Sequence, residues 1–230
     1  MKKNILLIGG SYGIGLEIAK ILMKDYSVYI ASRTPGAAQE LGITHIAFDA
    51  TQDVLEVAQL PTEIHGFAYC PGSINLKPFK MLPIDTFRAD MNLNFLAMVQ
   101  IVQTILPMMS ENSSMVLFST VAVDKGMPFH TSVAAAKGAI EGFAKALAAE
   151  YAPKIRINTI APSLVDTPLS KRLLNNDRKK EMMSERHPLK RFGKSTDIAN
   201  MAAFLLGDQS SWITGQVFAV DGGISTLKID

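Results

Sequence analysis

The sequence predicts an α/β fold: a doubly wound parallel sheet of about seven strands with helices on both faces, forming a single domain over residues 1-230. Three observations support this prediction. Short apolar runs of strand length alternate with longer segments of helical period. A glycine-rich turn joins the first apolar run to the first helical segment. The 230 residues are 48% hydrophobic, without a linker, low-complexity segment or internal repeat, and this favours one core over two.

The composition argues against several classes of protein. A formal charge of +2 is too close to zero to favour binding to nucleic acid or to a membrane surface. Gly9 and Gly10 cut the first apolar run too short for a signal peptide, and no stretch reaches the roughly 18 uninterrupted apolar residues of a membrane helix. Cys70 is the only cysteine, which excludes an internal disulfide and suits a reducing compartment. We therefore expect a cytoplasmic protein with no nucleic-acid or membrane partner.

The first predicted strand leads into a turn with the properties of a phosphate site. Asn4 to Ile8 is a continuous apolar run, and Gly9-Gly10-Ser11-Tyr12-Gly13-Ile14-Gly15 joins it to a helical pattern from Leu16 to Met23. Glycines let a ligand approach the backbone closely, and the N–H groups at the start of a helix attract an anion. An ordinary tight turn is the alternative, which the flanking strand and helix disfavour.

The second predicted strand ends in a cation. Ser27 to Ser32 has strand composition, and Arg33 follows it. In dinucleotide-binding βαβ units an acidic residue at this point binds the ribose diol, whereas a cation accommodates a 2′-phosphate. No acid stands at positions 31 to 33, so we expect NADP(H) as the cofactor. The alternative is a solvated surface arginine.

The tips of the following strands are predicted to face the same crevice. Ile43 to Phe48 is the third predicted strand, with Asp49 at its tip, and His65 to Cys70 is the fourth, followed by a turn at Pro71 and Gly72. Ligands bind beyond the carboxyl ends of parallel strands, so these tips belong to one site. The remaining predicted elements are a helix over Asp85 to Met109, strands over Ser114 to Phe118, Lys154 to Ile160 and Gln216 to Val220, and a helix over Thr196 to Leu206.

An Ala-rich segment from Thr131 to Ala152 predicts a buried helix with one lysine near its start. Val133, Ile140 and Leu147 belong to an apolar pattern of helical spacing that no proline interrupts. Lys137 lies within this pattern. An unpaired buried ammonium group costs on the order of several kcal/mol, so we expect Lys137 to be hydrogen-bonded or functional.

Taken together and in this order, the motifs resemble those of the short-chain dehydrogenases/reductases over nearly the whole chain. The matching residues are the motif glycines Gly9, Gly13 and Gly15, the helix asparagine Asn92, the strand-five pair Ser119-Thr120, the active-site lysine Lys137, the cofactor loop from Pro162 to Thr167 and the C-terminal signature Asp221-Gly222-Gly223. The resemblance implies a Rossmann-type fold, a nicotinamide cofactor, a small-molecule substrate and a homodimer or homotetramer.

The strand tips and the resemblance together give two sets of candidate site residues, and no metal site is expected. The candidate catalytic residues are Asn92, Thr120, Lys137 and His130. The candidate cofactor-binding residues are Gly9, Ser11, Tyr12, Gly13, Ile14, Ser32, Arg33, Asp49, Ala50, Cys70, Pro71, Gly72, Lys137, Pro162, Val165 and Thr167.

One departure from the family pattern concerns the proton donor. The family's catalytic tyrosine stands four residues before the lysine, where this chain has Val133, and valine can neither donate nor accept a proton. Enoyl-acyl-carrier-protein reductases, a branch of the same superfamily, place their tyrosine seven residues before the lysine, where this chain has His130. A neighbouring Lys⁺ disfavours a second positive charge, so His130 is a weak candidate donor. Thr120 remains a candidate for stabilising an oxyanion.

Two functions therefore stay open. The first is an NADP(H)-dependent reductase acting on a carbonyl or on an enoyl or dienoyl thioester, because conjugate reduction gives an enolate that hydrogen-bond donors stabilise until water protonates it. Dienoyl-CoA reductases, which the chain resembles at residues 30–33, also lack the tyrosine beside the lysine. The second is a catalytically silent dinucleotide-binding sensor or assembly protein.

The segment over about 165-194 lies where the family has its substrate lid. Between Ser170 and Lys194 it holds nine Lys or Arg residues against three acids, an excess that could attract a CoA phosphate or an acidic carrier protein bearing a thioester. A solvated lid is the alternative. His187, before Pro188, is expected at the surface.

Overall fold

A parallel sheet organises the structure, which is a computed structural model describing residues 2–228. Seven strands pair in the order β3-β2-β1-β4-β5-β6-β9, and each of these pairs is parallel. The elements are β1 (Asn4–Ile8), α1 (Gly13–Leu22), β2 (Ser27–Ser32), β3 (Thr44–Ala47), β4 (Ile64–Tyr69), α2 (Ile84–Met91), α3 (Ala97–Ile105), β5 (Met109–Phe118), α4 (Thr131–Tyr151), β6 (Ile155–Pro162), β7 (Val165–Asp166), α5 (Asp177–Glu185), β8 (Gly193–Lys194), α6 (Ser195–Leu206) and β9 (Val217–Val220).

The strand order reverses beside β1. The chain runs outward from β1 through β2 to β3 and then returns, so that β4 pairs with the other side of β1. Such a reversal opens a crevice beyond the carboxyl ends of the two central strands, where open α/β sheets bind their ligands. The predicted phosphate turn follows β1 and therefore lies at this crevice.

Helices cover both faces of the sheet. On one face α1 packs against α6, and Ile18, Ala199 and Leu205 belong to the core there. On the other face α3 and α4 supply Met98 and Ile140. β1 is buried from both sides, which accounts for its uninterrupted apolar sequence.

Residues 84–108 form one helical segment that a π-helical turn, Asn92–Leu96, divides into α2 and α3. By length and composition alone this segment could cross a membrane. Its residues Met98, Ile101 and Ile105 are buried against the sheet, as in the core helix of a globular domain. The π turn changes which side chains face inward, because it adds a residue to the helical repeat.

The segment predicted as a lid is folded. β7 and β8 form a small parallel pair, with Val165 opposite Gly193, and α5 lies between them in the sequence. The Asn176 side chain caps α5 by accepting a hydrogen bond of 2.9 Å from the Lys179 N–H. The pair β7-β8 ties the two ends of the lid together.

The predicted strands and helices are confirmed, with ends that differ by a few residues. The largest difference is β5, which begins at Met109 rather than Ser114. Its first residues are too polar to be recognised as a strand, yet Met109 pairs with Ile64 across an irregularity in the ladder. α1 begins at Gly13, so the glycine turn itself supplies the first helical residues.

Gly15 is packed too closely to accept a side chain. A methyl group there would lie 2.6 Å from the Gly9 carbonyl oxygen and 2.8 Å from the Gly10 Cα. We expect Gly15→Ala to lower the free energy of unfolding by about 1–3 kcal/mol, measured by urea denaturation. Gly142→Ala is the control, since its site in α4 is open, and should raise the free energy of unfolding by about 0.5–1 kcal/mol. Equal effects of the two substitutions would contradict the steric argument.

Candidate active site

The carboxyl ends of the central strands surround a mostly apolar cavity of about 270 Å³. The structure brings together on its wall predicted residues that are far apart in the sequence. These are Ile14, Cys70, Gly72, Thr120, His130, Lys137, Pro162, Val165 and Thr167. The other predicted residues lie along the glycine turn and the neighbouring loops, except Asn92.

The glycine turn has a backbone suited to an anion. Gly9 and Gly13 have φ angles of 76° and 56°, which glycine alone adopts without strain. The first N–H groups of α1, from Gly13 onward, have no partner within the helix and are available to a phosphate. A Cβ on Gly9 would lie 3.0 Å from Pro71, and one on Gly13 would lie 3.5 Å from the Thr167 side chain. The turn is therefore enclosed by the loops after β4 and β6.

A hydrogen-bond network fixes the tip of β2. The Ser11 and Ser32 hydroxyls lie 2.5 Å apart, and each lies within 2.9 Å of the Thr34 carbonyl oxygen. His45 Nε2 lies 3.0 Å from the Ser32 carbonyl oxygen, so the ring supports this turn from β3. Arg33 stands exposed on the turn.

Asp49, at the tip of β3, faces this same turn. Hydrogen bonds from the Thr51 N–H and hydroxyl lower the pKa of Asp49, burial opposes them, and the positive charge of Arg33 lowers the pKa further. Ala50 follows it, half-buried. Tyr12 lies at the start of α1 with 56% of its surface exposed. The predicted adenosine end of the site is thus an open edge that carries the cation of Arg33 and the carboxylate of Asp49.

Lys137 lies at the centre of the cavity wall with 7% of its surface exposed. Its Nζ donates a hydrogen bond of 2.8 Å to the Phe118 carbonyl oxygen at the end of β5, and its other two N–H groups donate to no described residue. Burial lowers the pKa of Lys137 to about 8, and negative charge at Cys70 and Asp90 would oppose this. Burial raises the pKa of the Cys70 thiol to about 12, so the thiol is neutral and Asp90 supplies the opposing charge.

The structure does not bring the predicted site residue Asn92 to the cavity wall. Asn92 is exposed, whereas Asn94, within the same π turn, is fully buried. The Asn94 amide donates to the Ser73 hydroxyl and to the Asp90 carbonyl oxygen, both at 2.8 Å, while its Oδ1 has no partner among the described residues. A Cβ on Gly72 would lie 3.4 Å from this Oδ1 and 3.5 Å from Lys137 Nζ. Asn94 therefore faces the site from the helix.

Sequence reasoning also missed a buried carboxylate beside the site. Asp90 accepts hydrogen bonds from Ser73 at 2.5 Å, Asn75 at 2.7 Å and Ser132 at 2.6 Å. Three donors compensate its burial, which would otherwise be costly. Ser132 directly precedes Val133 in α4, so the network ties α2 to the start of the Lys137 helix.

The two hydroxyls after β5 have different roles. The Ser119 hydroxyl donates to the Glu141 carboxylate at 2.5 Å and is buried. Thr120 Oγ1 accepts from the Ala122 N–H at 3.3 Å, and its own O–H donates to no described residue. Thr120 lines the cavity and is therefore the hydroxyl that remains available to a substrate.

Val133 and His130 both lie on the cavity wall. Val133 is 6% exposed and offers only methyl groups. His130 precedes the first residue of α4, and its Nδ1 lies 2.7 Å from the Pro128 carbonyl oxygen. A carbonyl oxygen only accepts, so this nitrogen carries the proton.

The expectation that His187 lies at the surface is wrong. Its side chain is 3% exposed and packs against the turn after β9, where a Cβ on Gly222 would lie 3.6 Å away. His187 Nε2 lies 2.9 Å from Ser163 Oγ, and Nδ1 lies 2.7 Å from the Met183 carbonyl oxygen. Both Ser163 and His187 line the cavity. No local pattern around the His-Pro pair signals this burial, which depends on contacts with distant segments.

Comparison with known proteins gives a consistent result. Residues 11–225 match a family model described as enoyl-(acyl carrier protein) reductase. The chain is 30% identical to the 3-oxoacyl-[acyl-carrier-protein] reductase FabG of Chlamydia trachomatis over 98% of each chain. The TT0495 protein of Thermus thermophilus is 32% identical, with a TM-score of 0.89, over 97% of this chain and 99% of that one. The chain belongs to the short-chain dehydrogenase/reductase superfamily.

Members of the short-chain dehydrogenase/reductase superfamily use nicotinamide dinucleotides. One similar structure is described as ElxO with NADP bound; it is 25% identical, with a TM-score of 0.86, over 99% of this chain and 100% of that one. The residues present here fit such a group. The start of α1 suits a pyrophosphate, Lys137 has two uncommitted N–H groups, and Gly72 leaves the space beside Lys137 open.

Lys137 has a predicted signature in the pH dependence of stability. Its pKa falls from 10.5 in the unfolded chain to about 8 in the folded protein, so between these values the unfolded chain binds more protons and this group makes stability rise with pH. Lys137→Met replaces the buried charge with an apolar chain. We expect the variant to be at least as stable as the wild type near neutral pH and to lose this advantage towards about pH 10. Chemical denaturation across this range tests it, and a variant that is less stable by about 2 kcal/mol at neutral pH would contradict it.

Proposed function

We propose that the protein is an NADP(H)-dependent oxidoreductase that reduces a carbonyl group or an activated enoyl or dienoyl thioester. The observation that carries this proposal is Lys137, a buried cation with two uncommitted N–H groups on the wall of an apolar cavity. A buried ammonium group needs partners, and the hydroxyls of a bound nucleotide ribose are suitable ones. The similarity to 3-oxoacyl-[acyl-carrier-protein] reductases supports a reduction of this kind.

Each part of the proposed cofactor has candidate partners. The glycine turn and the start of α1 would hold the pyrophosphate, Arg33 a 2′-phosphate, and Asp49 and Ala50 the adenine end. The nicotinamide riboside would be held by the turn Cys70-Pro71-Gly72 and by Lys137, Pro162, Val165 and Thr167. When bound, NADPH supplies a hydride. The choice of NADPH over NADH rests on Arg33, because no acid stands at the tip of β2 to bind a ribose diol.

The cavity suits an acyl substrate with one polar reacting group. Its wall includes the apolar side chains Leu76, Met127, Leu169 and Leu173, while Thr120 presents a free hydroxyl. A hydrogen-bond donor in an apolar, water-poor site stabilises developing oxyanion charge more than it would in water. Thr120 would therefore hold the oxygen of the substrate carbonyl, and the apolar wall would receive the acyl chain.

The lid could recognise the thioester carrier. Three of its nine cations are paired with carboxylates, in Lys180–Asp177, Lys190–Glu185 and Arg191–Asp197. Arg186 lies on the cavity wall and is exposed. An acidic carrier protein or the phosphates of CoA would find complementary charge at this side of the cavity.

A catalytically silent dinucleotide-binding protein, acting as a sensor or in an assembly, is the second candidate. Val133 favours it, since position 133 lines the cavity without a titratable group. We also propose a cytoplasmic, homo-oligomeric protein; the superfamily resemblance supports the assembly, and the single cysteine and near-neutral charge support the compartment.

Arg33 should decide the preference between cofactors. We expect Arg33→Ala to weaken NADPH binding by about 10-fold to 100-fold, because a hydrogen bond to a charged group contributes about 1.5–3 kcal/mol, and to leave NADH binding unchanged. Fluorescence titration with both nucleotides measures this. Arg88→Ala is the matched control, since Arg88 is an exposed arginine on α2 paired with Asp85. Tighter binding of NADH than NADPH by the wild type would contradict the assignment.

Turnover separates the two candidate functions. We expect the wild type to oxidise NADPH with acetoacetyl-CoA or crotonyl-CoA, followed by absorbance, and Val133→Tyr to accelerate the acetoacetyl-CoA reaction by about 10-fold or more by adding a proton donor. Val133→Phe is the control that adds the ring without the hydroxyl. A wild type that binds NADPH but is inactive on both substrates, with activity only in Val133→Tyr, would support the silent protein instead.

A further inference from the structure

We propose that Ser163 and His187 form a proton relay to the substrate oxygen, and that this relay supplies the proton donor that Val133 cannot. The inference rests on the proposed function and assigns roles to two residues outside the predicted site. Ser163 follows the last residue of β6, and His187 follows α5 of the lid. The relay therefore connects the carboxyl end of β6 to the lid.

The geometry of His187 is compatible with both of its protonation states. Nδ1 lies 2.7 Å from the Met183 carbonyl oxygen, which only accepts, so Nδ1 carries a proton in either state. Nε2 lies 2.9 Å from Ser163 Oγ. In the neutral ring Nε2 accepts from the Ser163 hydroxyl, and in the imidazolium Nε2 donates to it. A serine hydroxyl can take either part, so a proton can pass between them without movement of the ring.

The pair stands between two cavities. Ser163 and His187 line the active-site cavity together with Lys137, Val133 and Thr120. Both also line a second cavity of about 220 Å³, whose wall includes Asp221 and the Arg191–Asp197 pair. The second cavity gives the relay a side with charged residues, from which water can return a proton, while the first cavity gives it an apolar side that holds the substrate.

A carboxylate and an ion pair lie beside His187 on the wall of the second cavity. Burial opposes ionisation of Asp221, but hydrogen bonds from Ser225 and Gly223 and the charge of His187 lower its pKa overall, so it faces His187 as a carboxylate. Arg191 and Asp197 neutralise each other through two hydrogen bonds of 2.6 and 3.0 Å. Arg186 is exposed and is screened by solvent. Asp221 therefore places a negative charge beside the ring.

Protonation of the substrate oxygen uses one proton from the Ser163–His187 pair. When a carbonyl carbon receives a hydride, its oxygen becomes an oxyanion that needs one proton. The Ser163 O–H bond breaks as the proton passes to that oxygen, and Ser163 Oγ takes a proton from Nε2 of the His187 imidazolium. The products are an alcohol, oxidised cofactor and neutral His187, which keeps the proton on Nδ1. A proton from water in the second cavity then restores the imidazolium.

His130 is less suited to this role. It is only half-buried, lies before the first residue of α4, and its hydrogen bond is to the Pro128 carbonyl oxygen two residues away. The described residues include no hydroxyl within hydrogen-bond distance of its ring. It therefore lacks the intermediate donor that connects His187 to the cavity.

The test compares the kcat and KM of acetoacetyl-CoA reduction by NADPH in the wild type and in single variants. We expect Ser163→Ala and His187→Gln to lower kcat by on the order of 100-fold, with KM and the NADPH dissociation constant changed less than about threefold. Ser163→Thr restores a hydroxyl and should keep more than about a third of the wild-type kcat. Ser184→Ala, which removes a hydroxyl that bonds within α5, should match the wild type.

The outcomes separate this inference from the proposed function. A wild type inactive on acetoacetyl-CoA would overturn both. An active wild type with unchanged kcat in Ser163→Ala and His187→Gln would overturn the relay alone. A loss of kcat in His130→Gln but not in His187→Gln would assign the donor to His130. If Ser163→Thr fails to recover activity, or if the substitutions raise KM without lowering kcat, the pair has only a structural role and the relay is overturned.

Discussion

A buried ammonium group is the constraint around which this site is built. Lys137 interrupts an apolar helix at a position where desolvation of the ammonium group costs on the order of several kcal/mol. This cost is partly compensated by the Phe118 carbonyl oxygen, which accepts a hydrogen bond, and by the negative charge of Asp90. Two of its three N–H groups have no partner within residues 2–228. A structure selected only for stability would fill that position with an apolar residue, so the charge indicates a ligand.

The residues around Lys137 are also arranged to compensate buried charge. Asp90 is itself buried and needs three donors, and these come from the loop after β4 and from the start of α4. The network therefore ties the loop after β4 to the start of α4 while it supplies the negative charge that the lysine needs. Gly72 completes the arrangement, because a side chain there would occupy the space between Asn94 and Lys137. Packing and electrostatics thus select the same few residues.

The sequence predicts the fold well, including the elements that carry the proposed cofactor side of the site, because these elements depend on local patterns. Apolar runs, the turn from Gly9 to Gly15 and the apolar period around Lys137 are short-range signals, and the elements they predict are present. The errors have non-local causes. A π turn places Asn94 rather than Asn92 inside, and a helix of regular period cannot reveal this. His187 is buried by the turn after β9, which lies more than thirty residues away in the sequence.

The polar side chains on the cavity wall determine which reactions the site can support. Without a phenol at position 133, the cavity wall still carries Thr120, Lys137, His130 and the Ser163–His187 pair, whose polar groups can face a reacting oxygen. Thr120 can stabilise charge, but its hydroxyl bonds to no described side chain that could supply a proton, whereas Ser163 Oγ lies 2.9 Å from the His187 ring. An enolate tolerates the first arrangement because water can protonate it later, while an alkoxide needs the second. A site that contains both kinds of donor is equipped for carbonyl reduction, and a valine at position 133 is then compatible with an active enzyme.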